Sequence, residues 1–171
     1  MLVILHNIRS LYNVGSIFRT ADAAGIEKIY LCGITPMPID KFGRLRQPLT
    51  KVSLGAENFV EWEKCGQATR LIDKLKKQKY KIFAIEQSKK SVPYYNLQLK
   101  NLKTKKLCLV LGNEIKGLPQ SILSRAERIL EIPMRGAMVR QAHHPRHIGR
   151  GKESLNVAVA FGIIAFYFAN S

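Results

Sequence analysis

Short apolar runs alternate along this chain with longer segments whose apolar positions recur at the spacing of a helix face. Leu2–Leu5 reads as a first strand, Val14 to Ala24 as a helix closed by Gly25, and Lys28–Leu31 as a second strand. A helix from about Gln67 to Lys79 leads into a strand over Lys81–Glu86. Lys106–Leu111 is a continuous apolar run of the kind buried on both faces of a sheet. A short helix follows Pro119, a strand spans Arg128–Ile132, and a last helix runs from Ser154 to about Ala169. Strands separated by helices predict an α/β fold with a mostly parallel sheet flanked by helices. Thr35–Leu54, with Pro36, Pro38, Gly43 and Pro48, and Ala137–Gly151 follow neither period and read as surface loops.

The length of 171 residues suits one domain, residues 1–171, large enough to bury a core. Composition changes the picture through charge: 28 Lys+Arg against 12 Asp+Glu give +16 and a pI near 10.0, which points to a polyanionic partner. Cys32, Cys65 and Cys108 are odd in number and far apart, with no metal-ligand spacing, so a reduced, cytoplasmic setting is expected. The apolar stretch Val157–Ala169 falls short of the roughly 20 residues of a membrane span, so no membrane partner is expected.

Three segments carry candidate chemistry, each where a strand gives way to a loop or helix. Residues 6–25 set Asn7, Arg9, Asn13, Ser16 and Arg19 around a helix N-terminus, whose free N–H groups favour phosphate. Asn13 alone also reads as a plain N-cap, whereas Arg19 is expected to project beside it one turn along. Residues 109–119 are an apolar strand running into a glycine-bounded turn that holds Glu114. Gly112 would let a ligand approach the backbone, in the crevice beyond the carboxyl ends of parallel strands. A plain surface-turn Glu is the alternative there. The third segment is split: 132–136 resumes at 152–157, placing Ser154 and Asn156 in the first turn of the last helix, with Ser154 as its cap. A cap and a buried amide would explain that pair without catalysis.

As a set, Asn-Val-Gly-Ser-Ile-Phe-Arg-Thr-Ala-Asp at 13–22, Leu-Gly-Asn-Glu-Ile-Lys-Gly-Leu at 111–118 and Glu-Ser-Leu-Asn-Val at 153–157 resemble the SpoU (TrmH-like) branch of the SPOUT methyltransferases. That branch methylates a ribose 2′-hydroxyl in tRNA or ribosomal RNA. Lys51–Glu57 falls where the family has a similar segment, and the resemblance covers nearly the whole chain. It implies a C-terminal deep trefoil knot, which general topology rules argue against. It also implies S-adenosylmethionine bound in the knot and a homodimer whose active site takes residues from both subunits. Position by position, Asn13, Arg19, Glu114, Ser154 and Asn156 match the catalytic set. Leu111, Gly112, Asn113, Ile132, Met134, Ser154 and Leu155 match the cofactor-wrapping segments, and Asn7, Arg9 and Arg19 are expected to meet RNA. A guanidinium with a pKa above about 12 is a poor base. Arg19 is therefore expected to hold the 2′-oxygen and adjoining phosphate while the proton leaves through phosphate or water.

The departure from the family is the atypical insertion at about 137–151, where relatives carry little more than a Lys or two. His143, His144 and His147 lack a nearby carboxylate or Cys, and Pro145 breaks helical spacing, so no metal is expected. Without Arg140, Arg146 and Arg150 the chain still carries +13, so the basic character belongs to the domain. Closing a loop of this length costs about 2 kcal/mol, within the roughly 5–15 kcal/mol stability of a domain. The fold should survive; cofactor binding is what the insertion threatens, because it separates two walls of the pocket. The alternative to an enzyme is therefore an RNA-binding relative with a disrupted pocket. A Rossmann-type methyltransferase is disfavoured, since no GxGxG-like turn follows the first strand.

Overall fold

A computed structural model describes residues 1–97, 106–134 and 154–170 of the chain. The insertion expected at 137–151, with its three histidines, lies outside the described residues. In chain order the elements are β1 (Leu2–His6), α1 (Leu11–Ala23), β2 (Lys28–Cys32), α2 (Gln47–Ser53), β3 (Glu61–Cys65), α3 (Ala68–Lys77), β4 (Lys81–Ile85), β5 (Val92–Pro93), β6 (Leu107–Leu111), α4 (Gln120–Leu123), β7 (Arg128–Glu131) and α5 (Val157–Ala169). The strands form one sheet in the order β3-β2-β1-β6-β4-β7-β5, and every described pairing is parallel.

The two most apolar runs, β1 and β6, pair at its centre. Val3 and Leu5 of β1 pack with Phe18 of α1 and Phe161 and Ile164 of α5, whereas Leu2 and Ile4 pack with Leu71 and Ile72 of α3 and Ile122 of α4. Successive side chains of a strand point to opposite faces, so a run apolar at every position serves two cores at once. The chain leaves β1 for α1 on one face and leaves β6 for α4 on the other. A crevice therefore opens between the carboxyl ends of β1 and β6, the kind of switch point at which open parallel sheets take ligands.

Several boundaries differ from expectation. α1 starts three residues earlier than expected because Ser10, not Asn13, is its cap: Ser10 Oγ accepts from the Asn13 N–H at 3.2 Å. α5 starts three residues later, capped by Asn156 rather than Ser154, because Ser154 and Leu155 run along the crevice before the helix begins. Asn156 Oδ1 accepts from the N–H groups of Ala158 (2.9 Å) and Val159 (3.4 Å). The expected loop Thr35–Leu54 contains α2, whose proline lies in the first turn, where a missing N–H costs nothing. Gly15 of α1 leaves the space that the Leu49 carbonyl of α2 fills. Edge strand β3 was not anticipated: Glu61, Glu63 and Lys64 mask any apolar period, and Lys28 holds it through Glu61 (2.7 Å) and Glu63 (2.9 Å).

Candidate functional site

The crevice is organised by one carboxylate. From the turn after β6, Glu114 Oε2 accepts from the Arg9 N–H (3.1 Å), and Oε1 accepts from the Ser10 N–H (3.2 Å) and from Asn13 Nδ2 (3.0 Å). Beside it, Asn113 Nδ2 donates to the Asn7 carbonyl at 2.8 Å. Two consecutive side chains thus clasp the whole β1–α1 loop. Asn156 Nδ2 then donates to Asn13 Oδ1 at 3.0 Å, so β1, β6 and the start of α5 meet in one chain of bonds, Glu114–Asn13–Asn156. Burial pushes the Glu114 carboxyl up, but the bonds from Asn13 and the backbone together outweigh it and hold the group below its ordinary value.

This clasp revises the expected phosphate site at the α1 N-terminus. The Arg9 and Ser10 N–H groups already serve Glu114, and the Asn13 N–H serves Ser10. An internal anion has taken the place a phosphate would occupy. Asn7, expected at the RNA, has its amide engaged too: Oδ1 accepts from the Ile34 N–H (3.0 Å), which orients Nδ2 toward His6 Nε2 (3.0 Å). Its backbone adopts φ 58°, a left-handed conformation that Asn tolerates better than most residues. His6 therefore accepts at Nε2, leaves a buried Nδ1 without a partner among the described residues, and is held neutral by burial, which lowers its pKa. Of Asn7 and Arg9, Arg9 has the exposed side chain, and with Lys116 it borders a second cavity of about 490 Å³.

On the other side of Asn113 lies a cleft of about 190 Å³ between the ends of β4, β6, β7 and α5. Leu111, Gly112, Asn113, Ile132, Met134, Ser154 and Leu155 all line it, as does Glu114. Glu86 and Glu131, which sequence reading passed over, line it as well. Glu86 accepts from the N–H groups of Leu118 (2.7 Å) and Gln87 (3.1 Å), and Glu131 accepts from Ser91 Oγ (2.7 Å). Gly117, at φ 63°, runs so close to the Glu86 carboxylate that any side chain there would collide with it. Among the described residues the lining includes three carboxylates and no Lys or Arg, in a chain of charge +16.

Arg19 is not brought beside Asn13. Six residues at 3.6 per turn place it about 9 Å along α1 and on another side of the helix. It is exposed, lies outside the cleft lining, and has no hydrogen-bond or ion-pair partner among the described residues. Among those residues no group of three or more His, Cys, Asp and Glu could hold a metal ion, and no helix is long and apolar enough to cross a membrane.

A parallel α/β sheet with an Asn–Glu–Asn clasp and an acidic cleft at its central switch point defines a ligand-binding fold whose pocket is built from loops far apart in sequence. The family model of the SpoU rRNA methylases matches residues 1–166, and the chain belongs to that family. It is 28% identical over 166 residues to a tRNA (guanosine(18)-2′-O)-methyltransferase from Aquifex aeolicus, covering 97% of this chain and 67% of that one. It is 29% identical over 167 residues to a 23S rRNA (guanosine-2′-O-)-methyltransferase from Pasteurella multocida, covering 97% and 58%. Among solved structures, the A. aeolicus TrmH/SpoU tRNA modifying enzyme superposes with a TM-score of 0.73 at 26% identity, over 99% of this chain and 74% of that one. An AdoMet-bound rRNA methyltransferase from Sinorhizobium meliloti gives 0.74 at 27%, over 99% and 55%. The chain spans less than two thirds of the Pasteurella and Sinorhizobium proteins.

Proposed function

We propose that this chain is an S-adenosylmethionine-dependent methyltransferase acting on a ribose 2′-hydroxyl of tRNA or ribosomal RNA, in the cytoplasm and as a knotted homodimer. The observation that carries the reading is the charge of the cleft: Glu86, Glu114 and Glu131 with no Lys or Arg among its described lining residues. Such a cleft repels a phosphate-bearing cofactor and favours a phosphate-free adenosyl sulfonium cation. The apolar Leu111, Ile132, Met134 and Leu155 suit its adenosine, with Gly112, Asn113 and Ser154 alongside.

When bound, S-adenosylmethionine supplies a methyl group on a sulfonium, already a strong electrophile. The protein's task is then to place and deprotonate the hydroxyl. Glu114, Asn13 and Asn156 fix the wall against which the ribose sits. Arg9 and Lys116 offer cations to the RNA on the far side of Asn113. Arg19, exposed and away from its own cleft, serves the cleft of the second subunit, where it holds the 2′-oxygen and adjoining phosphate while phosphate or water takes the proton. A forked guanidinium suits that double grip.

Calorimetric titration of the full chain with S-adenosylmethionine should show saturable binding, and tritiated methyl should enter unmodified tRNA or rRNA transcripts. Asn13→Ala should lower transfer about a hundredfold by loosening the ribose wall, and Arg19→Ala should abolish it while sparing cofactor binding. RNA binding with no S-adenosylmethionine heat would replace this reading with that of an RNA-binding relative.

A further inference from the structure

We propose that the turn Asp40–Arg44, with Phe42 at its tip, is a second RNA contact: a platform on which an unpaired base stacks while Lys41 and Arg44 meet the flanking phosphates. This rests on the reading of the chain as an RNA-acting protein and extends it to a surface that the Asn13–Glu114 chemistry does not use.

Phe42 is 69% exposed, yet the backbone beneath it is tightly built. Asp40 Oδ1 accepts from the N–H groups of both Phe42 (2.8 Å) and Arg44 (2.9 Å), and the Asp40 N–H returns to the Arg44 carbonyl at 2.8 Å. Gly43 turns the chain at φ 76°, and Ile39 and Leu45 close the base as an antiparallel bridge. An exposed aromatic on so ordered a turn is held out at no further ordering cost on binding, which is the signature of a preformed contact.

Two cations lie over the ring, Lys41 Nζ 4.8 Å and Arg44 Cζ 5.7 Å from its centroid, and swing to the flanking phosphates when a base takes the face. Neither has a carboxylate partner among the described residues, and the nearest acid, Asp40, is committed to the backbone. From Asp40 to Lys51 the chain carries four cations, Lys41, Arg44, Arg46 and Lys51, against that single acid. Protein interfaces are depleted of lysine at their core, whereas aromatic rings interleaved with cations are how single-stranded nucleic acid is held. Unpaired RNA bases stack on such rings whatever their identity.

Placement agrees. The turn leaves the carboxyl end of β2 through Thr35, whose hydroxyl accepts from the Ile8 N–H (3.1 Å) and donates to the Leu5 carbonyl (2.9 Å). The platform is thus rooted in β1 and in the loop that leads into α1, at the same carboxyl end of the sheet.

The test compares wild type, Phe42→Ala, Phe42→Trp and the double variant Lys41→Ala/Arg44→Ala, using unmodified tRNA transcripts and a single-stranded RNA oligonucleotide carrying 2-aminopurine. Phe42→Ala should weaken tRNA binding about tenfold and abolish the stacking quench of 2-aminopurine, and Phe42→Trp should restore both. The double variant should flatten the salt dependence by about two phosphate contacts. S-adenosylmethionine binding and oligomeric state should not change. Wild-type affinity and quench in Phe42→Ala would overturn the proposal, and so would a change of oligomeric state, which would assign the ring to a protein interface. Tight tRNA binding by the wild type without methyl transfer would sink the enzymatic reading instead, leaving the Phe42 comparison to decide this one.

Discussion

Glu114 accepts three hydrogen bonds from one neighbouring loop, and its two oxygens leave little room for any other group. In Glu114→Gln one oxygen becomes an amide that must face donors, so the clasp should lose about 1–2 kcal/mol, read by urea denaturation at neutral pH. Because the folded carboxyl lies below its ordinary value near 4.5, its stabilisation is complete above that value and is lost as pH falls through the folded one. Wild type should therefore lose stability more steeply than Glu114→Gln as pH falls below the ordinary carboxyl range. Equal acid limbs would show that the carboxylate charge does not hold the loop. At this scale the sequence named the residues of the clasp but not their partners. Asn13 and Glu114 were legible as polar residues after apolar strands, whereas the Glu114–Arg9 bond joins residues 105 apart and has no local signature.

Helix α5 is apolar on every side, and the structure divides its faces. Phe161, Ile164, Ala165 and Phe168 are buried, with the Phe168 ring 5.7 Å from that of Phe83. Val159, Ile163 and Phe166, spaced at helical intervals, remain 51%, 36% and 42% exposed. In the proposed homodimer this outer line is the contact face, since an uncovered apolar stripe is costly in water. Phe166→Asp should convert dimer to monomer in analytical ultracentrifugation with the helix content of the domain intact, and methyl transfer should fall with dimer content because Arg19 is then removed from the cleft it serves. A monomeric wild type that transfers methyl would exclude this arrangement. The elements that sequence missed, α2, β3 and the two-residue β5, are those whose local signal is weakest. α2 is seven residues with a proline in its first turn, and β3 is an edge strand of mixed charge whose partner Lys28 comes from β2.

Across the whole molecule, charge is separated: +16 overall, with three carboxylates gathered in one cleft and cations at Arg9, Lys116, Lys41 and Arg44 outside it. That separation gives the two proposed ligands, a sulfonium cofactor and a polyanion, different places to bind. Met134 and Ser154, on either side of the insertion in sequence, line the same cleft, so its walls come together in this fold. Deleting Ala137–Gly151 should then leave S-adenosylmethionine affinity within a few-fold of wild type, while a large gain on deletion would mean that the insertion obstructs the pocket. Calorimetry on both proteins checks it.

The sequence by itself determined the α/β class, the two central strands, the basic surface and the motif residues, because each is written in local spacing or in composition. Apolar runs, helical periodicity and charge counts need no knowledge of what lies across the sheet. Only the tertiary structure decided that Ser10 and Asn156 cap their helices, that Glu114 fills the anion site at the start of α1, that Arg19 stands away from Asn13, and that Glu86 and Glu131 turn the cleft acidic. The place of Glu114 and the acidic lining are relations between residues brought together by a parallel sheet whose neighbours in space, β1 and β6, are more than a hundred residues apart along the chain.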